Sequence, residues 1–196
     1  MARYTGPKWK ISRRENYDVF GSIKWRKRST LPGVHPTSKG RPSNYSIQFR
    51  EKQKLKRMYG MLEKQFKNTY VKASKSTGNT GLKFLQLLEL RLDNVVYKLG
   101  MAKSIMQARQ FVSHAHVTVN GKKINIPSYN LKVNDVVEFE SKFSKGEMAT
   151  LIKGETKAMK AVVPAYLEGN KVVMAPTREM LDQGIKEQLV VELYSR

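Results

Sequence analysis

The sequence has no cysteine and few acidic residues. Without cysteine, neither a disulfide nor a thiolate metal site can form in these 196 residues. Only 16 Asp and Glu face 37 Lys and Arg, which gives a formal net charge of +21. No apolar run is long enough to cross a bilayer. These deficits exclude a disulfide scaffold, and we expect no membrane partner.

The positive charge is concentrated in the first part of the chain. Residues 1–76 carry twenty Lys and Arg against four Asp and Glu, a net of +16, whereas residues 77–196 carry seventeen against twelve, a net of +5. So uneven a field favours a polyanionic partner, with nucleic acid ahead of a membrane surface. The alternative is a solvated charged face, which self-repulsion at this density disfavours.

Residues 1–45 are predicted to form a basic, extended arm, because prolines and glycines interrupt any long helix. Aromatic residues alternate with cations, which suits base stacking beside phosphate neutralisation. Trp9 and Trp25 can equally anchor the arm on its own domain, and both interpretations stand. The candidate RNA contacts here are Lys8, Lys10, Arg13, Arg14, Arg26, Lys27, Arg28, His35, Arg41 and Tyr45.

A helix is predicted from Ser46 to about Phe66, with Leu55 and Phe66 on its buried side. Gly60 lies inside this helix at a cost of roughly 1 kcal/mol relative to Ala. A second short helix is expected after Gln65, ending near Ser74. Another side of the helix is expected to carry Arg50, Lys54, Arg57 and Lys64. The candidate RNA contacts in this helix are Arg50, Lys52, Lys54, Lys56 and Arg57.

The central stretch, residues 91–121, predicts two helices and a hairpin. Leucines and valines at steps of three and four predict one helix from Leu82 to Leu99, which Gly100 ends. Ser104 followed by Gln107 indicates a capping box that opens a second helix, ending near His114. The side chains of Lys103, Arg109 and Gln110 are expected to face outward.

The second helix leads into the hairpin. Asn120-Gly121 between apolar runs indicates a tight turn, so Lys122 begins the return strand. The free backbone N–H groups at the helix start near Ser104 could bind a phosphate. Candidate RNA contacts in this stretch are Arg91, Lys103, Ser104, Gln107, Arg109, Gln110, His114, His116, Asn120, Lys122 and Lys123.

Four further elements are expected beyond the hairpin. A turn at Asn134-Asp135 precedes a strand through residues 136–139, and residues 144–160 are predicted to form a helix. A second strand is expected over residues 171–174. Residues 185–194 end the chain as an alternating apolar segment.

Catalytic groups are scarce. The sequence contains no nucleotide-binding glycine loop and no zinc-ligand cluster. His114 and His116 stand two apart, which could be half of a metal site, but RNA contact or a structural role is preferred. Asp93 could act as a general base, yet pairing with a nearby cation or with a helix N–H is the better interpretation. We predict no enzyme activity, catalytic residue, metal or cofactor.

Several motifs resemble one family. R-L-D-N-V-V-Y-x-L-G from Arg91, A-R-Q-x-V-x-H from Ala108 and V-x-V-N-G from Val117 resemble the RNA-binding module first described in ribosomal protein S4 of the small subunit. The opening M-A-R-Y-T-G-P and the closing V-E-L-Y-S-R resemble the bacterial or organellar S4 family itself. Some members are described with a cysteine-ligated zinc, and Trp9 and Ser12 stand at the corresponding places, so the chain resembles the zinc-free form.

The resemblance implies an α+β fold with three parts: a basic irregular arm over residues 1–45, a helical domain over 46–88 completed by 178–196, and an inserted RNA-binding domain over 89–177. The inserted domain would pack two helices on a small, mainly antiparallel sheet. The resemblance also implies a structural role in a bacterial-type cytoplasmic, or an organellar, small ribosomal subunit. Its implied partners are ribosomal RNA at a helix junction of the five-prime domain, small-subunit protein five and other ribosomal proteins.

The family also implies a part in nucleating assembly and in translational accuracy. Some members repress their own messenger RNA, and the sequence leaves that role open here.

Overall fold

The structure is a computed structural model that describes residues 4–21, 23–28, 30–34, 41–146, 151 and 163–195. The chain divides into two compact units: Met1–Gly81 with Gln183–Arg196, and Leu82–Asp182. The described part of the first unit is helical, and the second combines helices with small antiparallel sheets. This mixed composition confirms the predicted α+β class.

The first unit contains five helical elements in its described residues. They are α1 (Lys8–Glu15), a short 3-10 helix (Ile23–Lys27), α2 (Asn44–Met58), α3 (Glu63–Ser74) and, at the end of the chain, α8 (Glu187–Tyr194). Leu55, Phe66 and Ala73 are fully buried in this unit. The predicted end of α3 at Ser74 is confirmed.

The prediction of an irregular arm was wrong for residues 8–15, which form α1. Pro7 stands in an extended conformation just before the helix, and Asn16 ends it in the left-handed region at φ 48°. The backbone N–H of Tyr17 then donates to the Ser12 carbonyl at 3.1 Å. Ile11 and Trp25 are buried, so apolar contacts also support the segment. His35 lies outside the described residues.

The single helix predicted from Ser46 to Phe66 is in fact two helices, α2 and α3. Gly60 takes φ 58° and ends α2, and the N–H of Met61 donates to the Lys56 carbonyl at 3.0 Å. These features form a Schellman cap, in which glycine adopts the left-handed conformation without a Cβ penalty. The glycine therefore serves as a helix terminator rather than a tolerated interior residue.

The alternating segment predicted at the C-terminus is the helix α8, which packs against α2. Val190 is fully buried, and Tyr194 stacks on Tyr70 with ring centroids 4.8 Å apart. Gln48 of α2 donates from Nε2 to Glu192 Oε2 at 2.8 Å. Packing against α2 thus favours a helix in a segment whose apolar residues we described as alternating.

The described part of the second unit begins with three helices and then alternates strands and short helices. In chain order its elements are α4 (Thr80–Glu89, whose first two residues precede the unit), α5 (Leu92–Lys98), α6 (Ile105–Ser113), β1 (Val117–Val119), β2 (Lys122–Lys123), β3 (Val137–Phe139), α7 (Ser141–Ser144), β4 (Leu167–Glu168), β5 (Lys171–Val172) and a 3-10 turn (Arg178–Met180). Most of the helix predicted over residues 144–160 lies outside the described residues.

The continuous helix predicted from Leu82 to Leu99 breaks between α4 and α5. Arg91 is extended at ψ 137° and forms a β-bridge with Asn130. The loop before Leu131 supplies the hydrogen bonds: the Leu90 carbonyl accepts from Leu131 N and the Leu92 N–H donates to the Tyr129 carbonyl, both at 2.8 Å. Long-range pairing therefore outweighs the helical periodicity at this point.

The sheet of the second unit is three-stranded and antiparallel, in the order β2-β1-β3. Asn120 at φ 49° and Gly121 at φ 76° form the two-residue turn, which confirms the predicted hairpin. The predicted strands at 136–139 and 171–174 are present as β3 and β5, and β5 pairs with β4 in a separate ribbon. The buried core collects apolar side chains from α5, α6 and these strands.

Candidate nucleic-acid interface

The start of α6 is built by local hydrogen bonds. Gly100, at φ 71°, ends α5, and Met101 N donates to the Val96 carbonyl at 3.1 Å. Ser104 Oγ accepts from Gln107 N at 3.3 Å, and Gln107 Oε1 accepts from Lys103 N at 2.8 Å. The predicted cap is confirmed, although the glutamine reaches the N–H one residue earlier than a capping box requires. The side chains of Ser104 and Gln107 are therefore engaged in holding the helix start.

A buried ion cluster links α5 to α6. Arg91 donates to both carboxylate oxygens of Asp93, at 3.0 and 2.8 Å, and Arg109 Nε lies 3.5 Å from Asp93 Oδ2. The Asp93 side chain is 1% exposed and that of Arg91 is 4% exposed. The preference for Asp93 as a partner of cations is confirmed. Arg91 was predicted as an RNA contact, but its guanidinium is enclosed in the protein.

Arg109 was expected to face outward, and this expectation was wrong. Its side chain is 16% exposed, since α6 turns it towards Asp93. Burial lowers the pKa of Arg109, while the Asp93 carboxylate acts in the opposite direction. Lys103 and Gln110 are exposed, as predicted. Arg109 thus contributes to the ion cluster of the second unit, and most of its side chain is enclosed.

The two histidines after α6 belong to an aromatic cluster. His116 stacks on Phe143 with ring centroids 4.4 Å apart and meets Phe111 edge-on. His114 is exposed, 5.9 Å from His116 between ring centroids. Among the described residues, no group of three or more metal-ligating side chains comes together. The arrangement gives His116 a packing role and leaves His114 as the accessible ring.

The hairpin contributes two exposed lysines and a turn that is held by side-chain hydrogen bonds. Asn120 donates from Nδ2 to Asp135 Oδ1 at 2.8 Å and accepts from Val136 N at 2.9 Å. Its side chain therefore ties the turn to the start of β3. Lys123 pairs with Glu140 at 2.5 Å, and this hydrogen bond lowers the pKa of the Glu140 carboxyl. Lys122 is exposed and forms no ion pair with another described residue.

In the first unit, two glutamates hold the cations of α2. Glu15 Oε1 contacts Arg57 Nη1 at 2.5 Å and Arg50 Nη1 at 3.3 Å, and the Glu15 side chain is 1% exposed. Glu63 accepts from Lys52 and Lys56 at 2.7 and 2.9 Å. These bonds lower the pKa of Glu63 to about 2 although partial burial opposes them. Four predicted RNA contacts therefore have internal partners.

Three further cations of the first unit that were predicted as RNA contacts donate hydrogen bonds to backbone carbonyl groups. Lys54 pairs with Glu51 at 2.8 Å and donates to the Gly184 carbonyl at 2.7 Å. Arg13 and Arg14 of α1 donate to the carbonyls of Thr30 and Pro32 at 3.2 and 2.9 Å. These cations keep their charge but have restricted side chains.

The sequence left two roles open for Trp9 and Trp25, namely stacking on bases and anchoring the arm. The structure shows a different environment for each. Trp25 is buried, with the Arg26 guanidinium 5.5 Å from its ring centroid, so it is an anchor. Trp9 is 37% exposed and remains available for stacking. Arg26 itself is exposed.

A smaller set of cations remains for a ligand, and we call them the open cations. They are the predicted RNA contacts whose side chains are exposed and form no ion pair, side-chain hydrogen bond or cation–π contact with another described residue. The set comprises Lys8, Lys10, Lys27, Arg28, Arg41 and Lys122. Sequence reasoning missed the acidic partners of the other cations. The scarcity of acidic residues could have indicated this pairing. Only four Asp and Glu occur among the first 76 residues, so each carboxylate has several cations to attract it.

The described geometry provides positive charge on capped helices and a short hairpin. It brings together no metal-ligand set among the residues that the structure describes. Within the same residues, no helix is both long and apolar enough to span a membrane. The described residues therefore offer positive charge to a polyanionic partner.

Comparison with known proteins identifies the family. A family model described as "Ribosomal protein S4/S9 N-terminal domain" matches residues 3–89, and one described as "S4 domain" matches residues 90–137. The chain is 46% identical over 210 residues to "Small ribosomal subunit protein uS4A" of Clostridium acetobutylicum, and 46% identical over 204 residues to "Small ribosomal subunit protein uS4" of Opitutus terrae. Both alignments cover 100% of both proteins.

The chain therefore belongs to the bacterial uS4 family of small-subunit ribosomal proteins. It is a structural RNA-binding protein and not an enzyme, as predicted. The absence of cysteine is consistent with a zinc-free form.

Proposed function

We propose that this protein binds a helix junction in the five-prime domain of small-subunit ribosomal RNA, early in assembly of a cytoplasmic ribosome. The observation that supports RNA binding is the set of six open cations, whereas the helix junction and the early step come from the family resemblance. Paired cations stabilise the folded units. Open cations neutralise phosphates, which releases the counterions bound to the RNA.

Recognition is mainly of shape. A folded RNA junction presents phosphates and 2′-hydroxyl groups more readily than base edges, because the deep groove of an A-form helix excludes side chains. The predicted contacts are lysines, arginines and neutral donors such as Gln110 and His114, which suit sugar and phosphate oxygens. Our proposal for the RNA contacts keeps the predicted set except for the enclosed Arg91, and among its lysines and arginines we expect the open cations to contribute most.

The finer roles rest on the family resemblance. They are nucleation of subunit assembly, contact with small-subunit protein five and other ribosomal proteins, and a contribution to translational accuracy. Repression of the protein's own messenger RNA would use the same charges on a second folded RNA.

The test is equilibrium binding of the full chain to three isolated RNAs: the five-prime domain, the three-prime domain of the same ribosomal RNA, and the protein's own leader messenger. We expect the five-prime domain to bind at least tenfold more tightly than the three-prime domain. Equal affinity for both ribosomal fragments would contradict the assignment. Leader binding that competes with the five-prime domain would support autoregulation, and its absence would remove that role.

A further inference from the structure

The first two turns of α2 carry an exposed aromatic pair. Tyr45 and Phe49 stand one helical turn apart, with ring centroids 5.9 Å apart and an angle of 20° between the ring planes. Ser43 caps this helix, accepting from Ser46 N at 3.2 Å, so the turn that holds Tyr45 is defined. Tyr45 is 57% exposed, whereas Phe49 is half-buried. Phe49 therefore supports one face of the tyrosine ring and leaves the ring widely open to solvent.

Cations surround this pair. Arg50 Cζ and Lys52 Nζ lie 4.9 and 5.0 Å from the Phe49 ring centroid. Arg41, one of the open cations, lies four residues before Tyr45. Between residues 41 and 57 there are six Lys and Arg and one acidic residue. A flat, exposed ring in a positive field has the composition of a stacking platform for single-stranded nucleic acid.

From this geometry we propose that Tyr45, held by Phe49, stacks on an unpaired base of the RNA. The proposal rests on the proposed function and adds a contact of a different kind, because stacking uses the face of a base and not its phosphate. The occupant is a nucleobase rather than an apolar protein surface, since the field around the ring attracts phosphates.

The test compares Tyr45→Ala, Tyr45→Leu and Tyr45→Phe in the full chain, with the five-prime domain RNA as the probe. Loss of one stacked base weakens binding by about 5- to 150-fold on replacement by alanine. We expect that loss for the alanine variant, most of it for the leucine variant, and near-wild-type affinity for the phenylalanine variant. The salt dependence should be the same in all four proteins because tyrosine carries no charge, and the thermal melts should coincide because Tyr45 is exposed.

A second probe isolates the base. An oligoadenylate and an abasic ribose-phosphate oligomer of equal length carry the same charge, so a stacking platform should favour the oligoadenylate, and Tyr45→Ala should reduce that preference. If wild-type protein binds the five-prime domain and Tyr45→Ala binds it equally well, the stacking proposal is overturned while the proposed function stands. If wild-type protein itself ignores the RNA, the proposed function fails first. A leucine variant that binds like wild type would assign Tyr45 to ordinary apolar contact and also overturn the proposal.

Discussion

Replacing Arg57 with glutamine removes one of the two cations that hold the buried carboxylate of Glu15. The 2.5 Å contact from Arg57 is the shorter of the two, and a hydrogen bond between charged groups contributes about 1.5–3 kcal/mol. Its loss leaves the enclosed Glu15 charge with one partner. We therefore expect Arg57→Gln to lower the free energy of unfolding of the first unit by about 2–3 kcal/mol at neutral pH.

The reverse substitution, Glu15→Gln, should cost much less. The side chains of Arg50 and Arg57 are 39% and 30% exposed, so water can solvate both when the carboxylate is gone. Burial raises the pKa of Glu15 even though these arginines oppose it, which means that the fold favours the neutral carboxyl group. We expect a loss below about 1 kcal/mol for Glu15→Gln, and the double variant should recover most of the stability that Arg57→Gln loses.

The pH dependence follows from the same raised pKa. A carboxyl group whose pKa is raised in the folded state contributes stability fully below its unfolded pKa, and this contribution is lost as the pH rises through the folded pKa. Arg57→Gln removes a cation that lowers the Glu15 pKa, so its deficit should be largest at neutral pH. The deficit should shrink as the pH falls towards the ordinary value of 4.5.

Urea denaturation followed by tryptophan fluorescence measures this effect, because both tryptophans of the chain lie in the first unit. Glu168→Gln, at an exposed position of the second unit, controls for the loss of one negative charge in Glu15→Gln. Two results would refute the reasoning: a larger loss for Glu15→Gln than for Arg57→Gln, or a deficit for Arg57→Gln that is independent of pH.

Three further substitutions test other parts of the frame. Glu63→Gln should lower stability by about 1 kcal/mol at neutral pH, and because the pKa of Glu63 is lowered to about 2, the difference from wild type should vanish in urea titrations as the pH falls from 4.5 towards 2. Asp93→Asn leaves Arg91 as an enclosed charge without its carboxylate, so circular-dichroism melts should show a loss of about 3–5 kcal/mol, and an unchanged melt would contradict the cluster. Gly121→Val places a β-branched residue at φ 76°, where an added Cβ would meet no atom within 4 Å. Backbone strain alone should therefore lower the stability by about 1–2 kcal/mol in the same melts. Gly121→Asn should lower it less.

Local signals predicted the elements that local hydrogen bonds build. Asn120-Gly121 forms the expected turn, Ser104 opens α6, and Gly100 ends α5, since each depends on residues within one turn of the chain. The break between α4 and α5 could not be predicted from periodicity, because the bridge joins Arg91 to Asn130, a residue far away in the sequence.

The candidate interface was predictable in composition but not in detail. Sequence reasoning selected lysines and arginines as candidates, yet it could not assign Arg50 and Arg57 to Glu15, which lies on another helix. The sequence also predicted an outward side chain for Arg109, because it could not show that Asp93 of α5 lies beside it. Charge pairing across elements requires the tertiary structure, so the choice of RNA contacts among the cations remains a prediction.

The central claim, that open cations bind ribosomal RNA through its phosphates, is tested most directly by the salt dependence of binding to the five-prime domain. Six neutralised phosphates predict that the affinity falls by about 10³ between 50 and 200 mM salt. Lys122→Ala should reduce the slope of log affinity against log salt by about 0.9, whereas Lys56→Ala, at a lysine paired with Glu63, should change it less. An affinity that stays constant over this range of salt would contradict the account.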